Sequence, residues 1–329
     1  MKAIVYRTYG SPDVLKCEEV EKPAPADDEV LIKVRAASTN PLDWHFMRGL
    51  PYAVRLAAKL DKTKGGRLGV DVSGTVETVG KNVTQFKPGD TVFGSCKGAF
   101  AEYVCTPQSM LTLKPGNITF EHAAAVPVAA YSALQALRDH GQIQPGYKVL
   151  VNGASGGVGT FGVQIAKSFG AEVTGVCSTR NLELVRSIGA DHVIDYMQED
   201  FTKPKGQYDI FLDCIANHPF STRRRVLKPK GVYLPVGGTT DPWLIGPIAS
   251  LIRTVVVSLF VSQKLVKFFL ANPNQKDLSV MAGLMQSGKV TPVIDRCYQL
   301  AETAEAIRYL ETGHARGKVV ITVAPNQQM

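Results

Sequence analysis

Hydrophobic and polar positions alternate along the first third of the chain in short runs: "KAIVYR", "EVLIKVRAAS", "VDVSGTVETVG", "PGDTVFG" and "AFAEYVCTP". A period of two, punctuated by Gly, Pro and Asp, predicts strands and tight turns at intervals suited to a compact β-barrel. From about Phe120 the pattern lengthens. "EHAAAVPVAAYSALQALRDHG" predicts a long helix, "KVLVNG" a buried strand, "GVGTFGVQIAKSFG" a helix closed by Gly170, and "EVTGVC" another strand. The alternation continues through "NLELVRSIG", "HVIDY", "YDIFLDCIA" and "GVYLPVGG". It predicts a parallel, doubly wound sheet with its ligand at the carboxyl ends of the strands.

The most apolar stretch, "LIGPIASLIRTVVVSLFVS" from Leu244 to Ser262, carries Pro247 inside it and Arg253 at its centre. A charge at that depth is costly in lipid, so a helix followed by a buried strand, "TVVVSLF", is the better reading. Helical patterns follow around "QKLVKFFLAN" and "KDLSVMAGLMQSG", then "VTPVIDRCYQL", "ETAEAIRYLETG" and "GKVVITVAP". This tail is expected to return to the first domain, making residues 1–125 plus 263–329 one domain and 126–262 an insertion.

A length of 329 residues with 45% hydrophobic and 20% charged residues suits two globular domains, with disorder expected only at the terminal "PNQQM". The net charge of +8 favours anionic ligands. Basic residues are scattered apart from Lys59 to Arg67 and Arg223 to Lys230, which reads as solvated faces and a phosphate-rich cofactor; no nucleic-acid partner is expected. Six cysteines without a CxxC pair read as reduced thiols, and "MKAIVYRTYG" opens as a strand and not as a signal peptide. A cytoplasmic location is expected, with peripheral membrane contact left open.

The strongest local signal is "KVLVNGASGGVGTFGVQIAK", in which a strand runs into Ala154-Ser155-Gly156-Gly157-Val158-Gly159 and then a helix. Ala stands at the first glycine of GxGxxG. Gly156 and Gly157 let the backbone approach a pyrophosphate, Gly159 lets helix and strand pack closely, and the helix N-terminus presents N–H groups to the phosphates. Ser155 and Val158 belong to this loop, and Ser155 is read as a cofactor residue and not as a nucleophile.

NAD enzymes place an acid at the end of the next strand to accept from the ribose 2′-hydroxyl. This chain reads Cys177-Ser178-Thr179-Arg180-Asn181 there, so Ser178 and Arg180 are candidates for a 2′-phosphate and NADPH is the expected cofactor. Tyr196, closing "HVIDY", either borders the adenosine phosphate or merely ends a strand. "PVGG" adds Val236, Gly237 and Gly238 as candidates beside the nicotinamide.

The motifs "NPLDW", "FKPGDTVFG", "AAAVPVAAYSALQAL", "GASGGVG", "GADHVIDY" and "GHARGK", in this order, resemble the medium-chain dehydrogenase/reductase superfamily, specifically its zinc-free quinone oxidoreductase branch. The detail looks closest to the chloroplast envelope quinone oxidoreductase-like group and its bacterial relatives. The resemblance implies an α/β protein with a GroES-like β-barrel catalytic domain and an inserted, doubly wound Rossmann domain. It also implies a homodimer paired through "TVVVSLF". Zinc alcohol dehydrogenases place Cys, His and Cys where this chain has Asn40, Val70 and Val128, and their four-Cys lobe has no counterpart here. No metal site is therefore expected.

Without zinc, a hydride entering the β-carbon of an enone or a quinone ring spreads charge over an enolate or phenolate that a few hydrogen-bond donors can hold. Asn40, at the first vacated ligand position, and, by the resemblance, Tyr52 and Ser132 are the candidate catalytic residues. In "TNPLDWH", Asp43 and His45 are read as holding the loop and helix that shape the site. The leading expectation is an NADPH-dependent reductase of quinones or enones. The alternatives are a metal-independent alcohol or ketone oxidoreductase, or a non-catalytic NADPH-binding regulatory protein.

Overall fold

The computed structural model describes residues 1–52, 54–55, 60, 63, 65–203, 207–237, 264–266 and 270–323. The chain divides into two units: Met1–Ala129 with Asn272–Gly288 and Pro292–Met329, and Ala130–Ala271 with Lys289–Thr291. The expected division lay at 125/126 and 262/263.

The spine of the first unit is the strand Glu29–Ser38. Its first half pairs antiparallel with Tyr103–Pro107, its last three residues with Lys318–Thr322, and its other edge with Asp71–Val79. Thr91–Ser95 and Leu111–Leu113 extend the sheet on one side, and Ile294–Gln299 lies parallel to Lys318–Thr322 on the other. The carboxyl-terminal segment thus joins the sheet of the amino-terminal strands. Lys16–Glu19, Lys2–Tyr6 and Gly66–Arg67 form a separate sheet.

The run "EVLIKVRAAS" does not keep one face throughout. Val30, Ile32 and Val34 enter one apolar core with Val72, Val92 and Phe100, whereas Ala36 packs with Ala124, Ala125 and Val320, and Ala37 rejoins the first core. The pairing with Asp71–Val79 slips between Val34 and Ala36. In a period-two strand a one-residue slip exchanges the faces. Its consequence is that Ser38 stands directly opposite Asp71. Asn40 then starts the helix Pro41–Arg48, with Pro at its first position and Gly49 ending it at φ +61°.

The second unit holds six parallel strands in the order His192–Asp195, Glu172–Cys177, Lys148–Asn152, Tyr208–Asp213, Leu227–Pro235 and Lys264–Leu265. Counted along the chain this is 3-2-1-4-5-6. The direction of winding reverses between Lys148–Asn152 and Tyr208–Asp213, where the doubly wound fold places its ligand. Val149, Leu150 and Val151 are fully buried, as expected of a strand covered on both faces.

Two elements differ from expectation. The single helix read over "EHAAAVPVAAYSALQALRDHG" is two, Phe120–Ala124 and Pro127–Gln135, the second continued by a widened turn at Ala136–His140. Pro127 has no N–H to continue the first helix and disfavours helical backbone at the residue before it. Within "QKLVKFFLAN", Lys264–Leu265 is a strand parallel to Val232–Tyr233, not a helix. Gly238, the segment Leu244–Ser262 with "TVVVSLF", and the "PNQQM" tail lie outside the described residues. Among the described residues no helix is long and apolar enough to cross a membrane.

Candidate active site

At the end of Lys148–Asn152 the chain turns at Gly153, with φ +78°. Gly153, one residue ahead of Ala154, therefore makes the tight turn that the fingerprint assigns to its first glycine. The Gly156 N–H donates to the Gly153 carbonyl at 3.0 Å, and Gly156 then caps the helix Gly157–Ser168 without a side chain. A Cβ at Gly159 would lie 2.0 Å from the Gly153 oxygen, whereas one at Gly156 would meet nothing closer than 3.4 Å. The first contact locks helix to strand. The second leaves the N–H groups of the first helical turn open to an anion, and the loop fits a pyrophosphate.

Gly153-Ala154-Ser155-Gly156-Gly157 also has the glycine-x-serine-x-glycine spacing of a hydrolase elbow. What distinguishes Ser155 is its partner. Asn181 donates through Nδ2 to Ser155 Oγ at 3.0 Å and to Ser178 Oγ at 3.2 Å, and no base is bonded to Ser155 among the described residues. Asn181 is buried, and its Oδ1 accepts from nothing among the described residues. An orphaned buried acceptor beside both serines suits a donor from a bound ribose. Sequence reading assigned Asn181 no role, although it closes the turn that carries Ser178 and Arg180.

Arg180 is exposed on the turn Thr179–Asn181. An acid is nearer than the strand end suggested, because Asp195 pairs in register with Cys177. Its carboxylate is occupied, accepting from Thr179 Oγ1 at 2.6 Å and from the Met197 N–H at 3.0 Å. Tyr196 follows with its side chain exposed, tied to the same place by its N–H to the Cys177 carbonyl at 3.1 Å.

At the reversal of winding the last residues of two neighbouring strands meet. Asn152 Nδ2 donates to Asp213 Oδ1 at 2.9 Å, and the same oxygen accepts the Ile215 and Ala216 N–H groups at 3.2 and 2.8 Å. The other oxygen accepts from Tyr233 OH at 2.9 Å, with the Arg223 guanidinium 3.5 Å away. Burial first, then the Asp213 charge, push the Tyr233 phenol well above its ordinary range, so it stays a donor. Val236 and Gly237 donate their N–H groups to the Asp213 carbonyl, and a Cβ at Gly237 would strike the Cys214 oxygen at 2.0 Å. Asn152 and Asp213 were not singled out from the sequence; the signal was a polar residue ending each of two apolar runs, "KVLVN" and "YDIFLD".

In the first unit, Asp71 gathers a second buried cluster. Its Oδ2 accepts from Ser38 Oγ and Asn40 Nδ2, both at 2.8 Å, and from Lys318 Nζ at 3.4 Å, while Oδ1 accepts the Val128 N–H at 3.0 Å. Lys318 Nζ also donates to Asn40 Oδ1 at 2.6 Å and to the Thr39 carbonyl at 3.1 Å. Asp71 is 0% exposed, Asn40 2% and Lys318 4%. Asp43 closes the loop by accepting the Asn40 N–H at 2.7 Å and the Gly69 N–H at 2.8 Å. Burial pushes the Asp43 carboxyl up to about 7 against the pull of those two donors, and burial holds the Lys318 ammonium below its usual range against the pull of Asp71. His45 bonds through Nδ1 to the Leu50 carbonyl at 2.7 Å and stacks on Trp44, so it holds the end of its helix.

Two family models match the chain: the alcohol dehydrogenase GroES-like domain over residues 26–116 and the zinc-binding dehydrogenase over residues 188–321. The chloroplast envelope quinone oxidoreductase homolog of Arabidopsis thaliana is 33% identical, with 98% of each chain covered. The 2-methylene-furan-3-one reductase of Solanum lycopersicum is 36% identical over 99% of this chain and 80% of its own. The structure of the quinone oxidoreductase from Coxiella burnetii superposes with a TM-score of 0.85 at 31% identity, over 98% of this chain and 99% of that one. The chain belongs to the medium-chain dehydrogenase/reductase superfamily, among the relatives of its quinone oxidoreductases.

For a medium-chain dehydrogenase/reductase the metal question turns on Asn40, Val70 and Val128. The Asn40 amide is bonded at both ends, the Val128 N–H serves Asp71, and a valine side chain offers no ligand. Among the described residues no group of three His, Cys, Asp or Glu is placed to hold a metal. The residues at the zinc position do not fit zinc.

The other two catalytic candidates of this dehydrogenase/reductase chain, Tyr52 and Ser132, belong one to each unit. Tyr52 is 49% exposed in the first unit, and its hydroxyl has no hydrogen-bond partner among the described residues. Its ring stacks against the Arg55 guanidinium at 4.8 Å; Arg55 also covers Tyr9 at 4.8 Å and donates to the Gly49 carbonyl. Ser132 is half-buried on Pro127–Gln135 in the second unit.

Proposed function

We propose that the chain is a zinc-independent oxidoreductase that uses a nicotinamide dinucleotide, with NADPH preferred, to reduce the conjugated double bond of an enone or a quinone. The observation that carries this reading is the hydrogen-bonded cluster of Asn40, Asp71 and Lys318, in which Asn40 stands at the first vacated zinc-ligand position. Relatives named for quinones and for a methylene-furanone reductase support the acceptor class.

NADPH held by Ser155 to Gly159 would supply a hydride for the conjugated carbon of the acceptor; the negative charge would then rest on the carbonyl oxygen, and a proton would complete the reduction. An enolate or phenolate carries this charge over several atoms, so hydrogen-bond donors can replace a Lewis acid. Asn40 has one Nδ2 hydrogen committed to Asp71 and a second with no partner among the described residues; that second hydrogen is the donor we assign to the acceptor oxygen. Asn40 is buried, and a donor so placed acts at low dielectric. Tyr52 is assigned as the proton source, and Ser132 is assigned beside the nicotinamide. Ser155 to Gly159 cradle the pyrophosphate, Ser178 and Arg180 take the 2′-phosphate, Tyr196 borders the adenosine, and Val236 with Gly237 receive the nicotinamide. The test is turnover of NADPH with a panel of enones, quinones and simple ketones, with the metal content of the same protein measured alongside. Reduction of conjugated acceptors by metal-free protein is expected; no turnover of any conjugated acceptor, or turnover only after zinc loading, overturns the reading.

A further inference from the structure

Lys318 is 278 residues from Asn40 in the chain, and no part of the reaction outlined above assigns it a role. Its ammonium is almost fully buried and spends its three N–H groups on the Thr39 carbonyl, the Asn40 amide oxygen and Asp71. The shortest of these, 2.6 Å, goes to Asn40. The Asn40 amide therefore lies between a cation on its oxygen and a carboxylate on one of its N–H groups. A cation on an amide oxygen draws electron density out of the C–N unit, and each N–H becomes a stronger donor; chained hydrogen bonds reinforce each other in this way.

We propose that Lys318 is a positioning residue of the reductase reaction, polarising and orienting the Asn40 amide so that its remaining N–H holds the charge that develops on the acceptor oxygen. This rests on the proposed reduction of conjugated acceptors and adds to it the source of the positive charge. Asp71 balances the cation and, with Ser38 and the Val128 N–H, fixes the plane of the amide. The cluster thus supplies the reaction with a fixed cation held by the fold itself.

The test compares wild type, Lys318→Met, and the charge-balanced double variant Asp71→Asn/Lys318→Met, which leaves no lone buried charge. Each is assayed for thermal unfolding, NADPH affinity, and kcat and KM with para-substituted benzylideneacetones. The double variant is expected to fold and bind NADPH as wild type does while kcat falls about tenfold or more, a fraction of what deleting a direct oxyanion donor costs. Its kcat should also depend more steeply on electron-withdrawing substituents, because the substrate must then carry more of the charge itself. A folded double variant with unchanged kcat and unchanged substituent dependence overturns the proposal. So does failure of both variants to fold, which assigns the cluster a purely structural role. Absence of wild-type turnover with these acceptors overturns the proposed function first, and with it this inference.

Discussion

Asn40 is donor, acceptor and helix cap at once, which makes its truncation costly in more than one way. Asn40→Ala deletes the bond to Asp71, leaves the Lys318 ammonium without its shortest partner, and removes the side chain at the start of Pro41–Arg48. A buried charge that loses a hydrogen bond costs about 1–3 kcal/mol, so unfolding by urea should show a loss of about 2–4 kcal/mol. Enone kcat/KM should fall about 100-fold at a temperature where the variant is still folded, as for loss of an oxyanion donor. Unchanged enone reduction by Asn40→Ala means that its assigned role is wrong. Arg180 makes a cleaner probe, since its side chain is exposed. Arg180→Ala should raise the NADPH KM about tenfold and leave that for NADH unchanged, because only the 2′-phosphate offers the charge-assisted bond. Equal effects on both cofactors count against the assignment.

At the scale of elements, the dinucleotide loop is where local sequence and structure agree most closely. A strand, a glycine run and an amphipathic helix are each encoded by neighbours, so the close packing of Gly159 on the strand turn was legible before any coordinates. Gly159→Val tests the contact: its side chain would run into the Gly153 carbonyl, 2.0 Å from the Cβ. Thermal unfolding should show a loss of about 1–3 kcal/mol, the usual cost of overpacking, and dinucleotide affinity measured by fluorescence titration should fall with it. Gly156→Ala meets no such wall and should unfold nearly as wild type does. Less was legible where the determinant is distant. The slip between Val34 and Ala36 depends on a partner strand some forty positions on, and periodicity within "EVLIKVRAAS" does not reveal it. Lys318 opens a strand that reads as ordinary, and only its pairing beside Ser38 brings it to Asn40. Asn152 and Asp213 were visible as polar ends of buried runs, but their meeting required the strand order.

For the molecule as a whole, the buried acid Asp43 ties stability to pH in a direction opposite to that of exposed acids. An exposed carboxylate such as Glu18, bonded to Arg7, titrates below its usual range and stabilises the fold as pH rises out of the acid region. Asp43 is pushed up from 3.8 to about 7 by burial, so between those values the folded chain holds a proton that the unfolded chain has released. Stability from this group is therefore present at low pH and is lost as pH rises through neutrality, with a slope of at most about 1.4 kcal/mol per pH unit. Lys318 acts with the other sign: burial lowers its folded value, the unfolded chain binds the proton more tightly, and stability rises with pH between the lowered folded value and the ordinary one. The Asp43 contribution can be isolated with Asp43→Asn, which keeps the shape and removes the titration. Its amide cannot accept both the Asn40 and the Gly69 N–H groups, so a roughly constant loss of about 1–2 kcal/mol is expected at low pH. From that offset the advantage of wild type over the variant, measured by urea unfolding from pH 4.5 to 8, should fall steadily with rising pH, change sign, and level off above neutrality. A difference that stays constant across the range means that Asp43 is ionised throughout in the folded protein, and that its two backbone donors outweigh its burial.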